Sequence, residues 1–110
     1  MNVYDKAHEL AQALNESSEL IKFREAIEKI KKNDNSKKMM DDFRNVQFEA
    51  YSEQMQTGQV SKDTMDKLQN MGNIVSLNPD VAQYLEAEAK FGTIWQDIMK
   101  ILSDAVGLDL

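Results

Sequence analysis

The feature that most constrains this chain is its last stretch, PDVAQYLEAEAKFGTIWQDIMKILSDAV, residues 79 to 106. Val81, Tyr84, Leu85, Phe91, Ile94, Trp95, Ile98, Ile101, Leu102 and Ala105 recur at steps of three and four. That period predicts one helix with a wide apolar face. Asn78 precedes Pro79, so the backbone before it avoids the αR region and Pro79 suits a first helical turn. Gly107 offers a stop. A helix of about 27 residues spans roughly 40 Å, whereas a compact domain of this size has a radius of gyration near 13 Å. The apolar stripe continues almost to the end of the helix, so a second chain is the simplest cover for it.

The rest of the chain follows the same period. Tyr4, Ala7, Ala11 and Leu14 mark a short amphipathic helix. Ser17 and Ser18 are N-cap candidates for a second, striped by Leu20, Phe23, Ile27 and Ile30. Asp34 or Asn35 can cap a third, expected from about Ser36 to Thr57, with Met40, Phe43, Gln47, Ala50, Tyr51 and Gln54 in its stripe, widened by Val46 and Met55. Gly58 can end it with a positive φ. Ser61 opens a fourth, carrying Met65, Leu68, Met71 and Val75. Four Gly and one Pro in 110 residues leave few turns. The expectation is an all-α bundle of about five helices, two of them long, packed antiparallel in a single domain spanning 1–110. It is oligomeric through the long helices.

Composition removes several kinds of chemistry. No cysteine is present, which excludes disulfides, thiol nucleophiles and cysteine-held metals. His8 is the one histidine, and Gln12 stands where a His-Glu-x-x-His motif needs its second. No Gly-rich phosphate loop, no Glu-x-x-His pair and no calcium-loop spacing occurs. No catalytic, metal or cofactor residue is therefore assigned, and the expected protein is not an enzyme. The N-terminus lacks a basic and apolar leader, and no apolar run reaches a membrane span, so a cytoplasmic location is expected.

The net charge of −6 disfavours nucleic acid as a partner. Residues 20–38 nevertheless hold seven cationic side chains (Lys22, Arg24, Lys29, Lys31, Lys32, Lys37 and Lys38) against three acids. An RNA-binding accessory protein using this 22–38 segment is the alternative function. Residues 80–110 have six acids against two lysines, an asymmetry able to steer self-association or an acidic partner. Of the seven Met residues, Met39, Met40, Met55, Met65, Met71 and Met99 lie in helical segments and track the stripes, as core filler or adaptable interface does.

Two polar residues interrupt apolar faces. Gln47 falls four after Phe43, and Glu88 falls between Tyr84, Leu85 and Phe91. A carboxylate on such a face needs a partner. The expectation is that Glu88 is largely shielded and hydrogen-bonded to the third helix through Arg44 or Gln47, of the same chain or a mate. Phe43, Arg44, Gln47, Tyr51, Tyr84, Glu88, Phe91 and Trp95 are the candidate interaction residues.

MMDDFRNVQFEAYSEQMQTGQ and SLNPDVAQYLEAEAKFGTIWQDIMKIL together resemble the YlbF/YmcA-like family of Gram-positive bacteria, most closely its uncharacterised YheA-like branch. The anchors are Phe43-Arg44 with Gln47, and the Asn-Pro-x-Val-x-x-Tyr-Leu-x-Ala-Glu run from Asn78 to Glu88. The resemblance implies an all-α bundle forming homodimers or larger oligomers. It also implies a role in protein complexes that influence RNA processing, competence, sporulation and biofilm formation. Some of those complexes carry iron–sulfur clusters on cysteines, which this chain lacks. The function expected is a non-enzymatic oligomeric interaction or adaptor protein, with room for a heterologous protein partner.

Overall fold

The structure, a computed structural model, describes residues 2–108. Five helices follow one another: α1 (Val3–Glu16), α2 (Ser18–Lys31), α3 (Asp34–Thr57), α4 (Lys62–Ser76) and α5 (Pro79–Val106). No strand occurs among the described residues, and the fold is all-α. The chain divides into two compact units, Glu28–Gln83 and Met1–Ile27 with Tyr84–Leu110.

Side chains set the helix ends as their chemistry dictates. Asn2 Oδ1 accepts from the backbone N–H of Tyr4 at 2.8 Å, and Ser17 Oγ accepts from that of Leu20 at 3.3 Å. α3 starts two residues before its expected first residue, and Asn33 rather than Asp34 or Asn35 is the cap, accepting from Ser36 N at 3.0 Å. Asn33 has the extended backbone that an N-cap requires, while Asp34 and Asn35 are already helical. Gly58 ends α3 at φ 79°, and its N–H donates to the Gln54 carbonyl at 2.9 Å. Ser61 caps α4 through Thr64 N at 3.2 Å.

The Glu28–Gln83 unit is built on the α3–α4 hairpin. Cross-helix pairs fix its direction. Ser61 and Thr64, at the start of α4, meet Glu53 near the end of α3. Lys67 Nζ lies 3.5 Å from Glu49 Oε1 one turn further on. Asn78, past the end of α4, donates to Ser36 Oγ near the start of α3 at 3.2 Å. Partners step up one helix as they step down the other, so the two run antiparallel. Ile30, Met40, Ala50, Val75 and Val81 are buried in this unit, with Ser36 and Thr64 as its buried polar residues.

The other unit has a thinner interior. Ala26 and Ala87 are its buried hydrophobic residues among those described. Phe23 on α2 packs against Tyr84 and Phe91 on α5, with ring centroids 5.5 and 5.8 Å apart, and Phe91 meets Trp95 at 6.4 Å. These tilted arrangements suit the ring quadrupoles. Arg24 Nη2 donates to Asn15 Oδ1 at 2.9 Å, tying α2 to α1. α1 has no buried residue, and Val3, Tyr4 and Leu10 stand exposed.

Candidate interaction surface

The candidate residues occupy two helices. On α3, Phe43, Arg44 and Gln47 are half-buried, and Arg44 Nη1 donates to Gln47 Oε1 at 3.4 Å, one turn along the same helix. Tyr51 lies with Phe48 and Met55 on the face that helical spacing aligns, at steps of three and four. These three are 63–70% exposed. Phe48 has no place in the stripe read from the sequence, because it sits off the Met40–Phe43–Ala50 line. Its signal was the i, i+3, i+7 relation to Tyr51 and Met55.

On α5, Tyr84, Glu88 and Phe91 are half-buried and Trp95 is exposed. Phe23 joins Tyr84 and Phe91 into a ladder of rings that runs on to Trp95. The sequence placed Phe23 only in the α2 stripe, since ring contacts between helices have no local signature. Beyond Trp95, the exposed apolar residues Met99, Ile101, Leu102 and Val106 continue along α5.

Sequence reasoning missed Glu53. Its Oε1 accepts the Ser61 backbone N–H at 2.7 Å, and Thr64 Oγ1 donates to Oε2. Ser61 Oγ donates to Thr64 Oγ1 at 3.0 Å. A carboxylate from one helix thus completes the N-cap of the next, the task that a Glu three residues after the cap performs in a capping box. Here Thr64 occupies that position. The Thr64 hydroxyl, then the Ser61 backbone and side chain, hold the Glu53 carboxyl below the usual glutamate range, with Lys67 adding to the effect.

The basic segment is largely paired with its own neighbours. Arg24 is on Asn15, Lys29 Nζ donates to Gln83 Oε1 at 3.1 Å, Lys31 is 3.7 Å from Glu28 and Lys38 is 3.0 Å from Asp42. His8 is exposed on α1. Among the described residues, no group of three or more His, Asp or Glu side chains is arranged to hold a metal ion, and no helix is long and apolar enough to cross a membrane. At the open end of the hairpin lies a shallow cleft of about 540 Å³ walled by Met39, Ile74, Leu77 and Pro79. The Asn78 amide at its edge is taken up by Ser36 Oγ and by the N–H groups of Asp80 and Val81.

What the fold and surface define is an all-helical protein that presents apolar helix faces to its surroundings. Residues 3–107 match the family described as "Control of competence regulator ComK, YlbF/YmcA", and the chain belongs to that family. A UPF0342 protein of Clostridium novyi (strain NT) is 50% identical over 109 residues, which cover 99% of this chain and 96% of that relative. The fold is similar to that of a protein of unknown function (DUF964) from Bacillus stearothermophilus, with TM-score 0.79, 17% identity, and 96% and 92% of the two chains covered. It is also similar to YheA from Bacillus subtilis, with TM-score 0.65, 21% identity and 97% of each chain covered. A third likeness is to Bacillus subtilis RicA, solved in complex with RicF, with TM-score 0.61, 16% identity, and 96% and 93% covered. The resemblance drawn from residues 39–59 and 76–102 thus agrees with the family match.

Proposed function

We propose that this chain is a non-enzymatic, homo-oligomeric interaction module that joins a regulatory protein complex. The observation that carries it is the set of large apolar side chains left exposed on the two long helices: Phe48, Tyr51 and Met55 on α3, and Trp95, Met99 and Leu102 on α5. Soluble chains rarely leave such runs uncovered unless a partner takes them. Aromatic residues and Met are enriched at protein interfaces, where acids and Lys are depleted. Between Arg44 and Gly58 the only charged residues are Glu49 and Glu53, and both turn towards α4, on Lys67 and on Ser61 with Thr64. The α3 face is left with Phe48, Tyr51, Met55 and uncharged polar neighbours, as a protein-binding face requires.

Membership in a family described by control of a competence regulator supports a regulatory setting. The likeness to RicA, whose structure was solved with a protein partner, supports association as the mode of action. Sedimentation velocity over a range from nanomolar to tens of micromolar tests the homo-oligomer. Association in that range is expected, and a clean monomer throughout overturns it.

A further inference from the structure

One side of the α3–α4 hairpin stays open. The cleft at its open end continues along the helix pair into a second hollow of about 200 Å³, and Met39 on α3 and Ile74 on α4 line both. Together they form one trough inside the Glu28–Gln83 unit, with Met71 towards one end and Leu77 at the other. Met39 and Met71 are half-buried, whereas Ile74 is 49% and Leu77 83% exposed. No other large apolar residue among those described is as exposed as Leu77.

The chemistry of the trough restricts its occupant. Its polar groups are already engaged. Ser36 Oγ accepts from the Asn78 amide at 3.2 Å, Asn78 Oδ1 accepts the Asp80 and Val81 N–H groups at 3.1 Å, and Asn33 Oδ1 accepts the Ser36 N–H at 3.0 Å. Little is left to hold a small polar metabolite. The two long walls are helices, so an extended peptide would find no strand edge, and its own N–H and C=O groups would lose water without replacement. A helix arrives with its backbone satisfied. From Asn33 to Asp42 the trough follows α3 for roughly 14 Å, two to three turns at about 1.5 Å per residue. That length takes apolar anchors at i, i+3 or i+4, and i+7, and Met on both walls adapts to their shapes.

Charge narrows the choice further. Lys38 and Asp42, on the α3 rim, pair with each other at 3.0 Å. Asp80, at the open end, has no cationic partner among the described residues. The chain as a whole carries −6, so a second copy meets like charge and a basic partner meets opposite charge.

We propose that this trough docks an amphipathic helix of a different protein, with apolar residues at steps of three and four and a Lys or Arg placed to meet Asp80. The proposal rests on the reading of this chain as an interaction module, and not on the homo-oligomer.

The methionines make the test direct. Met39 and Met71 line the trough, while Met55 and Met99 lie on the exposed faces of α3 and α5. The full chain, with isotopically labelled methionine methyl groups, is titrated by NMR with a stapled helical peptide of about 14 residues, long enough to span the trough. The peptide carries leucines at steps of three and four and lysines elsewhere. Saturable shifts are expected at Met39 and Met71, with Met55 and Met99 unmoved. Ile74→Glu and Leu77→Glu should each weaken binding about tenfold or more without loss of helix, since both side chains are exposed. Asp80→Asn should weaken it about two- to fivefold and flatten its salt dependence. No shift at Met39 and Met71, larger shifts at Met55 or Met99, or unchanged affinity in both Glu variants overturns the trough as the site. Equal binding of a twin peptide with glutamates for lysines overturns the basic partner. Met39 and Met71 signals that move on dilution of the chain alone make a second copy the occupant and overturn the proposal. Sedimentation reads the homo-oligomer separately, so either reading can fail without the other.

Discussion

The two units of this protein are made from the same kind of helix and treat their apolar residues differently. The Glu28–Gln83 unit buries Ile30, Met40, Val75 and Val81, and its buried hydroxyls, Ser36 and Thr64, are hydrogen-bonded to Asn78 and to Glu53 with Ser61. The unit formed by the two ends of the chain buries only alanines among its described hydrophobic residues and leaves Val3, Tyr4, Trp95, Met99, Ile101 and Leu102 in water. Both have amphipathic periodicity, so the difference does not come from pattern. It comes from closure. A four-residue turn joins α3 to α4, which keeps one side of each helix covered, while Phe48, Tyr51 and Met55 of α3 stay exposed. Along the carboxyl-terminal half of α5, Trp95, Met99, Ile101 and Leu102 remain exposed.

The comparison makes its largest demand on Met40. Met40→Ala should lower unfolding free energy by about 2–5 kcal/mol, because truncation there leaves a cavity inside closely packed surroundings. Urea titration reads this, and a loss below about 1 kcal/mol would mean that the hairpin unit is as loosely filled as its counterpart.

Thr64→Val comes next. It keeps the shape and removes the hydroxyl shared with Glu53 and Ser61, and it should cost roughly 1 kcal/mol. No loss would show that the link between helices is ornamental.

The same clasp predicts a pH dependence. The Glu53 carboxyl is held below its usual value in the folded chain, so the folded state favours its ionised form. That contribution is fully present above the ordinary glutamate value of about 4.3, and is lost as pH falls through the depressed one. Glu53→Gln should therefore be less stable than the parent chain near neutrality, with the gap narrowing as pH falls below the ordinary glutamate value. A gap independent of pH would assign the role of Glu53 to shape alone.

The smallest effect belongs to the open unit. In dilute solution, where copies are separate, Ile101→Ala should change unfolding free energy by less than about 0.5 kcal/mol, as exposed substitutions do. A loss approaching that of Met40→Ala under the same conditions would erase the contrast between the units.

Much of this architecture was legible in the residues themselves. Pro79 and Gly107 bound α5, Gly58 ends α3, and Ser61 starts α4, because each acts through its own backbone geometry or a hydrogen bond within one turn. The helical period of apolar residues likewise needs only neighbours three and four apart. What needed the tertiary structure was the fate of each stripe. Met40 and Phe48 are both large apolar residues of α3, yet one is buried and the other exposed, since only the packing of α4 and its surroundings decides which side of α3 is covered. Glu53 looked like one more solvated acid until the hairpin brought Ser61 and Thr64 to it across eight and eleven residues. Phe23 joined Tyr84 and Phe91 from some sixty residues away. Local chemistry set where helices begin and end. Contacts distant in sequence decided which faces were closed, because burial depends on what arrives from elsewhere in the chain.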